Sequence, residues 1–296
     1  MSKKRYSYYG ERDSPFFRLQ SKAKLASLLF IGLEKLQALA SADSLYFDFK
    51  KPKASGGMRE ISAPRDDLKA VQSRIAHLLQ RIAPPDYLFA PVAGRSYVDN
   101  AAQHFGAASV RLLDIEDFFP SCTANKIIWF FMKRMECSPD VAAILSGLVT
   151  KNGSLPQGSP CSPILAYLSY IDMWEEVAKI VRTNGCCLSV YADDLTISGS
   201  VVPEQAIWKI KQALHKHGHR YKVSKERSKH LKPAEITGVI LTQDRLLAPN
   251  RQHKKLYAVR QELRKARSPK RRATLETQLQ GRIAQMGQIV DAKTRQ

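Results

Sequence analysis

Cysteine is scarce here, and what there is does not pair. The five residues Cys122, Cys137, Cys161, Cys186 and Cys187 are odd in number and contain no C-x-x-C spacing. That excludes a disulfide framework and a zinc knuckle, and it fits a reducing, cytoplasmic compartment. Long apolar runs are missing as well. The basic start Met1-Ser2-Lys3-Lys4-Arg5 has no apolar signal core behind it, and no stretch approaches a membrane span, so no membrane association is expected. Negative charge is in deficit: 27 Asp and Glu stand against 47 Lys and Arg, a net +20 over 296 residues. A surplus of that size favours a polyanion, with nucleic acid the default partner. It is also unevenly placed, because Asp244–Gln296 holds 14 Lys or Arg and four Asp or Glu. Otherwise 44% hydrophobic and 25% charged residues describe an ordinary globular chain.

Periodicity supplies a coarse map. Residues 1–18, polar and rich in tyrosine (Tyr6, Tyr8, Tyr9), read as an arm. Leu25, Leu28, Leu29, Gly32, Leu33, Leu36 and Leu39 predict one helix over Ser21–Ala40. A basic, glycine-rich loop at Lys50–Gly57 leads to a short strand near Arg59–Ser62 and a helix from about Asp67 to Ile82. Val110–Ile115 reads as a buried strand ending in Asp114, and Ser121–Met135 as helix. Asn152-Gly153 marks a turn, and Ser162-Pro163 opens another helix. A helix over Pro203–His217, strands near Tyr221–Val223 and Ile236–Leu241, and basic helices from Pro249 complete the chain. This order predicts an α+β fold.

The chemistry centres on Tyr191-Ala192-Asp193-Asp194. Leu188 and Val190 before it, and Leu195 and Ile197 after it, alternate as half-buried strands do. Adjacent aspartates suit the turn between them, and two carboxylates on a rigid hairpin tip offer hard oxygens to a divalent cation. A solvated Asp-Asp turn is the alternative reading of the pair alone. With Asp114 at a neighbouring strand end, the set could hold two magnesium ions about 4 Å apart, as nucleotidyl transfer requires.

The residues around these acids resemble those of reverse transcriptases. Leu112-Leu113-Asp114-Ile115-Glu116-Asp117-Phe118-Phe119-Pro120-Ser121 is similar to the first palm motif of that family. Leu155-Pro156-Gln157-Gly158-Ser159-Pro160-Cys161-Ser162-Pro163 is similar to its template- and dNTP-contacting loop, and Tyr191–Asp194 to its metal-binding hairpin. Asn100-Ala101-Ala102-Gln103-His104 resembles the retron N-A-x-x-H signature, and Ile236-Thr237-Gly238 the retron V-T-G tripeptide with Ile for Val. The resemblance is close from about Lys50 to Leu241 and mainly compositional in the tail.

The resemblance implies a right-hand polymerase fold: arm, helix and fingers over 1–105, palm over 106–243 with a fingers-type helical segment at about 121–158, and a basic helical thumb over 244–296. It implies that Asp114, Asp193 and the backbone carbonyl of Ile115 bind two Mg2+ ions, with Asp194 in support. Phe119 would be the steric gate that excludes a 2′-hydroxyl. Gln157 and Gly158 would lie against the incoming dNTP, the glycine allowing backbone approach. Arg59 and Lys53 would clamp its triphosphate, although a solvated loop lysine accounts equally for Lys53. Tyr191 would pack near the primer end. Asn100 and His104 would contact RNA or brace the fingers, a satisfied structural histidine being the alternative. Arg264, Lys265, Arg267, Lys270, Arg271 and Arg272 would grip phosphates. Where relatives place a late palm lysine, this chain has Ser224-Lys225-Glu226-Arg227-Ser228, with Arg227 at that position. Either Lys225 substitutes or the step depends on it less. His215, His217 and His219 form a further cluster, readable as a metal site or as the end of a surface helix.

The activity so implied is RNA-directed DNA synthesis on the protein's own structured non-coding RNA, from a guanosine 2′-hydroxyl, giving branched RNA-linked DNA (msDNA). Retrons typically act in defence against phage, here with an effector on another polypeptide. An intron-type reverse transcriptase and a non-catalytic RNA-binding scaffold are the competing readings.

Overall fold

A computed structural model describes residues 7–42, 45–52 and 56–292. The helices and strands, in chain order, are α1 (Lys22–Leu28), α2 (Leu33–Ser41), β1 (Tyr46–Pro52), β2 (Met58–Pro64), α3 (Asp66–Leu79), β3 (Leu88–Ala90), α4 (Tyr97–Ala102), β4 (Ser109–Asp114), α5 (Phe118–Ser121), α6 (Ala124–Trp129), α7 (Pro139–Val149), α8 (Ser162–Leu168), α9 (Ile171–Thr183), β5 (Cys187–Tyr191), β6 (Asp194–Gly199), α10 (Glu204–Lys216), β7 (Arg227–His230), β8 (Ala234–Ile236), β9 (Val239–Leu241), β10 (Leu246–Leu247), α11 (Asn250–Lys265) and α12 (Pro269–Asp291). A π-helical turn, Phe130–Arg134, continues α6. The chain is α+β, as its element order predicts. Among the described residues no helix is long and apolar enough to cross a membrane.

The central sheet has the order β3-β5-β6-β4-β7, with β4 antiparallel to both its neighbours. Val110, Arg111, Leu113 and Asp114 are all buried, so β4 is covered on both faces. Trp174 on α9, with Phe130 and Phe131 of the π-helical turn, fills the largest volumes of the main core. α3 joins that core through Leu68, Val71, Ile75, Leu78 and Leu79, spaced as one helical face. β1 and β2 form a separate, mostly exposed hairpin. A second cluster gathers α4, the start of β4 and the β8–β10 sheet, and α12 inserts Ile289 into it.

Several expected elements differ. The helix expected over Ser21–Ala40 is two helices, because the chain turns at Phe30 (φ +58°) and Gly32 caps α2. Tyr221–Val223 is not a strand; Tyr221 makes one bridge to Ile115, and the edge of the sheet is β7 instead. Ile236–Leu241 is a hairpin, turning at Thr237 (φ +46°) and Gly238 (φ +88°). Tyr6 lies outside the described residues, and from Ser7 onward the expected arm is packed down. Tyr9 bridges to Ile82, and Phe16 is fully buried against Phe131.

Candidate active site

Strand pairing brings the three acids together. Asp114, the last residue of β4, lies directly opposite Asp194, the first of β6. Asp193 occupies the hairpin turn after Ala192 (φ +57°), and its carbonyl accepts the Ile115 amide at 2.9 Å. Like charges opposed across a ladder repel. Burial, then the charge of Asp114, raises the Asp193 carboxyl, while Lys225 and Arg59 pull it back. Asp194 is pushed up to about 7, by burial first and then by Asp193 and Asp114. The Lys225 ammonium bonds the Asp114 carboxylate. Burial lowers that ammonium's pKa, but the bond to Asp114 and the three carboxylate charges outweigh it, so it ends raised. Arg227 lines the same cavity as Asp114 but bonds the carbonyls of Ser224 and Glu226 at 2.7 and 2.8 Å. Lys225 is therefore the amino group at the acids.

Asp114 and Asp194 open onto a cavity of about 830 Å³ whose lining also includes Tyr191, Lys225, Thr237 and Arg251. As placed, no three His, Cys, Asp or Glu side chains among the described residues stand as a metal-holding group. The donor chemistry nevertheless suits a hard divalent cation: three carboxylates oppose one another, and the charge they lack is lent by a lysine. Seating an ion there requires the Lys225–Asp114 pair to open.

The expected nucleotide contacts fall on the facing elements. Phe118 enters the core, 6.4 Å from Trp174 between ring centroids, and leaves Phe119 half-buried beside it at 5.7 Å. Phe118, not Phe119, is the core phenylalanine. Arg59 is exposed on β2, near enough to act on Asp193. Lys53 lies outside the described residues. The Gln157 carbonyl accepts the Ser62 amide at 2.7 Å, docking the loop before α8 onto β2. Gly158 has φ +124°, and a Cβ on it would lie 2.9 Å from both the Ile61 methyl and the Ser62 carbonyl oxygen. The close approach that this glycine permits is thus to the hairpin strand.

Asn100 and His104 need correcting as nucleic-acid contacts. Both are 1% exposed, so neither side chain reaches a surface where RNA could lie. The α4 capping box of Ser96 and Asp99 fixes the local backbone. Asn100 donates to the Thr237 hydroxyl at 3.2 Å, so the two signature motifs meet in one bond. The two His104 ring nitrogens share hydrogen bonds of 2.7 Å with Ser198 and Ser189, gripping both strands of the aspartate hairpin. Ser189 and Ser198 were missed by reading the sequence; the available signal was a polar residue at inward positions of otherwise apolar strands.

Burial holds His104 down to about 4, and His219, chiefly by burial, to about 4 as well. The unfolded chain takes up these protons below about 6.5, whereas the folded one resists until about 4. Stability is therefore complete above that window and lost as pH falls through it, by about 2 kcal/mol per ring at pH 5. His104→Gln should shrink the drop in melting midpoint between pH 7 and pH 5. An unchanged drop would exclude His104 as its source.

The His215–His219 cluster does not converge. His219 bonds Ser121 at 2.8 Å, His217 faces Asp172 and Glu176, and His215 stacks on Tyr221. In the tail, Arg264, Lys265, Arg267, Lys270, Arg271 and Arg272 are all exposed around the α11–α12 turn, with Arg271 paired to Glu262 at 2.7 Å.

Comparison with known proteins identifies the family. The family model described as "Reverse transcriptase (RNA-dependent DNA polymerase)" matches residues 50–241. The Retron Se72 reverse transcriptase of Salmonella heidelberg is 30% identical over 224 residues, 73% of this chain and 59% of the relative. The Retron Mx65 enzyme of Myxococcus xanthus is 35% identical over 178 residues, 53% of this chain and 41% of the relative. The Retron Ec86 enzyme of Escherichia coli is 31% identical over 172 residues, 57% and 53% of the two chains. The chain thus spans about half the length of the curated relatives it matches. A solved foamy viral protease–reverse transcriptase with double-stranded DNA covers 72% of this chain and 32% of its own at 18% identity, with a TM-score of 0.44.

Proposed function

The chain belongs to the reverse transcriptase family, and from that membership we propose that it is the RNA-directed DNA polymerase of a retron. Its template would be its own structured RNA, its substrates dNTPs, and its product a DNA branched from a guanosine 2′-hydroxyl. An anti-phage role beside a separately encoded effector belongs to the same proposal. So does the division into fingers to residue 105, palm over 106–243 and thumb over 244–296. The observation that carries the reading is the pairing of Asp114 with Asp194, with Asp193 at the turn between β5 and β6.

Asp114, Asp193, Asp194 and the Ile115 carbonyl would hold two magnesium ions. When bound, these lower the pKa of the attacking hydroxyl and neutralise the triphosphate. Arg59, with Lys53, binds the triphosphate and orients it toward the acids. Gln157 and Gly158 form the wall beneath the base. Phe119 occupies the space a 2′-hydroxyl would need, and Tyr191 packs at the primer end. Lys225, once released from Asp114, is the ammonium positioned at the leaving group. The exposed cations of the α11–α12 turn hold duplex phosphates, with salt-dependent affinity.

With cognate RNA, Mg2+ and dNTPs the purified chain should make RNA-linked DNA, detectable as a labelled product that ribonuclease shortens but does not free of RNA. No such product would overturn the proposal. Phe119→Val should keep dNTP incorporation and weaken discrimination against ribonucleotides by about ten-fold or more, read from kcat/KM ratios. Unchanged discrimination would remove Phe119 from the gate.

A further inference from the structure

The densest positive charge outside the tail lies between Trp208 and Lys232, where nine Lys or Arg accompany one acid, Glu226. The polymerase reading employs only Lys225 of these. α10 opens the segment and turns Ala206, Ile207, Ile210, Ala213 and Leu214 inward, which leaves Trp208 57% exposed. An indole is ordinarily buried for most of its area, so a solvent-facing one calls for an occupant. Trp208 lines a groove of about 760 Å³ between α9 and α10 that also includes Lys209, Lys216 and Tyr221. The groove shares no lining residue with the cavity at Asp114.

Its aromatic wall is already ordered. Tyr221 is stacked on His215 with centroids 5.8 Å apart, and the Lys211 ammonium lies 4.4 Å from the Tyr221 ring. Two carboxylates temper the charge: Glu226 holds Lys211 at 2.8 Å, and Glu176 holds Lys216 at 3.0 Å. The second pair is exposed and weak enough to be exchanged for a phosphate.

We propose that this groove is a second nucleic-acid site, seating an unpaired RNA nucleotide with its base on Trp208 and its flanking phosphates on Lys209 and Lys216. Exposed aromatic faces combined with cations are how unpaired bases are captured, whereas a double helix offers no free base face. A protein partner fits less well, because lysine is depleted from the buried centres of protein interfaces. Such a site would anchor the structured RNA while its template runs through the cleft. The ligand class rests on the retron reading above.

The test uses the full chain with its cleft filled by a primer–template hairpin, titrated with a labelled oligouridylate of 12 nucleotides. Trp208→Ala should weaken binding by about five-fold or more, and Trp208→Phe should retain it. Lys209→Glu should reduce the salt slope of binding by about one. Ultraviolet crosslinks should map to the peptide carrying Trp208 or Tyr221, and primer extension on a plain RNA template should match the unmodified chain. Unchanged oligouridylate affinity in Trp208→Ala overturns the proposal. So does a proportionate loss of extension, which would place Trp208's effect in the cleft or the fold. If the unmodified chain extends no primer, the polymerase reading fails, and the titration still decides the groove.

Discussion

Asp193→Asn should abolish DNA synthesis, lowering single-turnover incorporation by about 10³-fold or more, whereas Asp194→Asn should leave a measurable remainder. A carboxylate shared by two cations contributes several kcal/mol of charge stabilisation, and each ~1.4 kcal/mol is a decade in rate. Asp193 stands at the turn; burial and then Asp114 raise its carboxyl, and Lys225 and Arg59 pull it back. Asp194 is raised further. Pushed up to about 7, it is substantially protonated near neutral pH, and asparagine resembles its neutral form. Equal residual activity in the two variants would undo this division. A second readout needs no turnover. A carboxyl raised in the folded state costs stability as pH climbs through its folded pKa. Asp194→Asn without added metal should therefore raise the melting midpoint more at pH 8 than at pH 5. A rise of equal size at both would show that the Asp194 carboxyl is not raised by burial and its two neighbouring acids.

Gly158→Ala should strongly impair nucleotide binding. At φ +124° an L side chain is strained, and its Cβ would meet the Ser62 carbonyl oxygen and the Ile61 methyl, each at 2.9 Å. Backbone cannot yield as a flexible side-chain end does, so the bond between Gln157 and Ser62 must break and the β1–β2 hairpin must shift. That hairpin carries Arg59. The expected result is a KM for dNTP raised about ten-fold or more with kcat less affected, since nucleotide positioning suffers while the acids stay paired. Ile61→Ala should partly rescue the variant by clearing one of the two collisions. A Gly158→Ala enzyme with unchanged KM would show that the loop and hairpin act independently.

Much of the candidate site is legible in the sequence. Alternation on either side of Asp193-Asp194 marked a hairpin, and Val110–Leu113 a buried strand delivering Asp114, because local periodicity reports which face is covered. Phe30 and Gly32 did not announce the break between α1 and α2, since their neighbours keep the helical period across it. β7 carries only Arg, Ser, Lys and His, so its place at the sheet edge has no hydrophobic signature. The uncertainty over Lys225 and Arg227 was of the same kind. Both are long cations two residues apart, and what separates them is which one the chain turns toward Asp114.

By itself the sequence determined a basic chain whose motifs resemble those of reverse transcriptases, with Asp114, Asp193 and Asp194 placed so that strands could present them together. Charge and strand alternation are legible because they are properties of short segments, and the family resemblance because its motifs are short as well. Only the tertiary structure decided which polar residues lie inside and what they bond. Asn100 and His104, expected to contact RNA with a structural histidine as the alternative, lie buried: His104 holds both strands of the aspartate hairpin and Asn100 bonds the Thr237 turn. Gly158, expected to give a substrate room to approach, also gives that room to the β2 strand. These assignments depend on partners 85 to 137 positions away in the chain, and no local pattern encodes which distant hydroxyl a buried polar group will find.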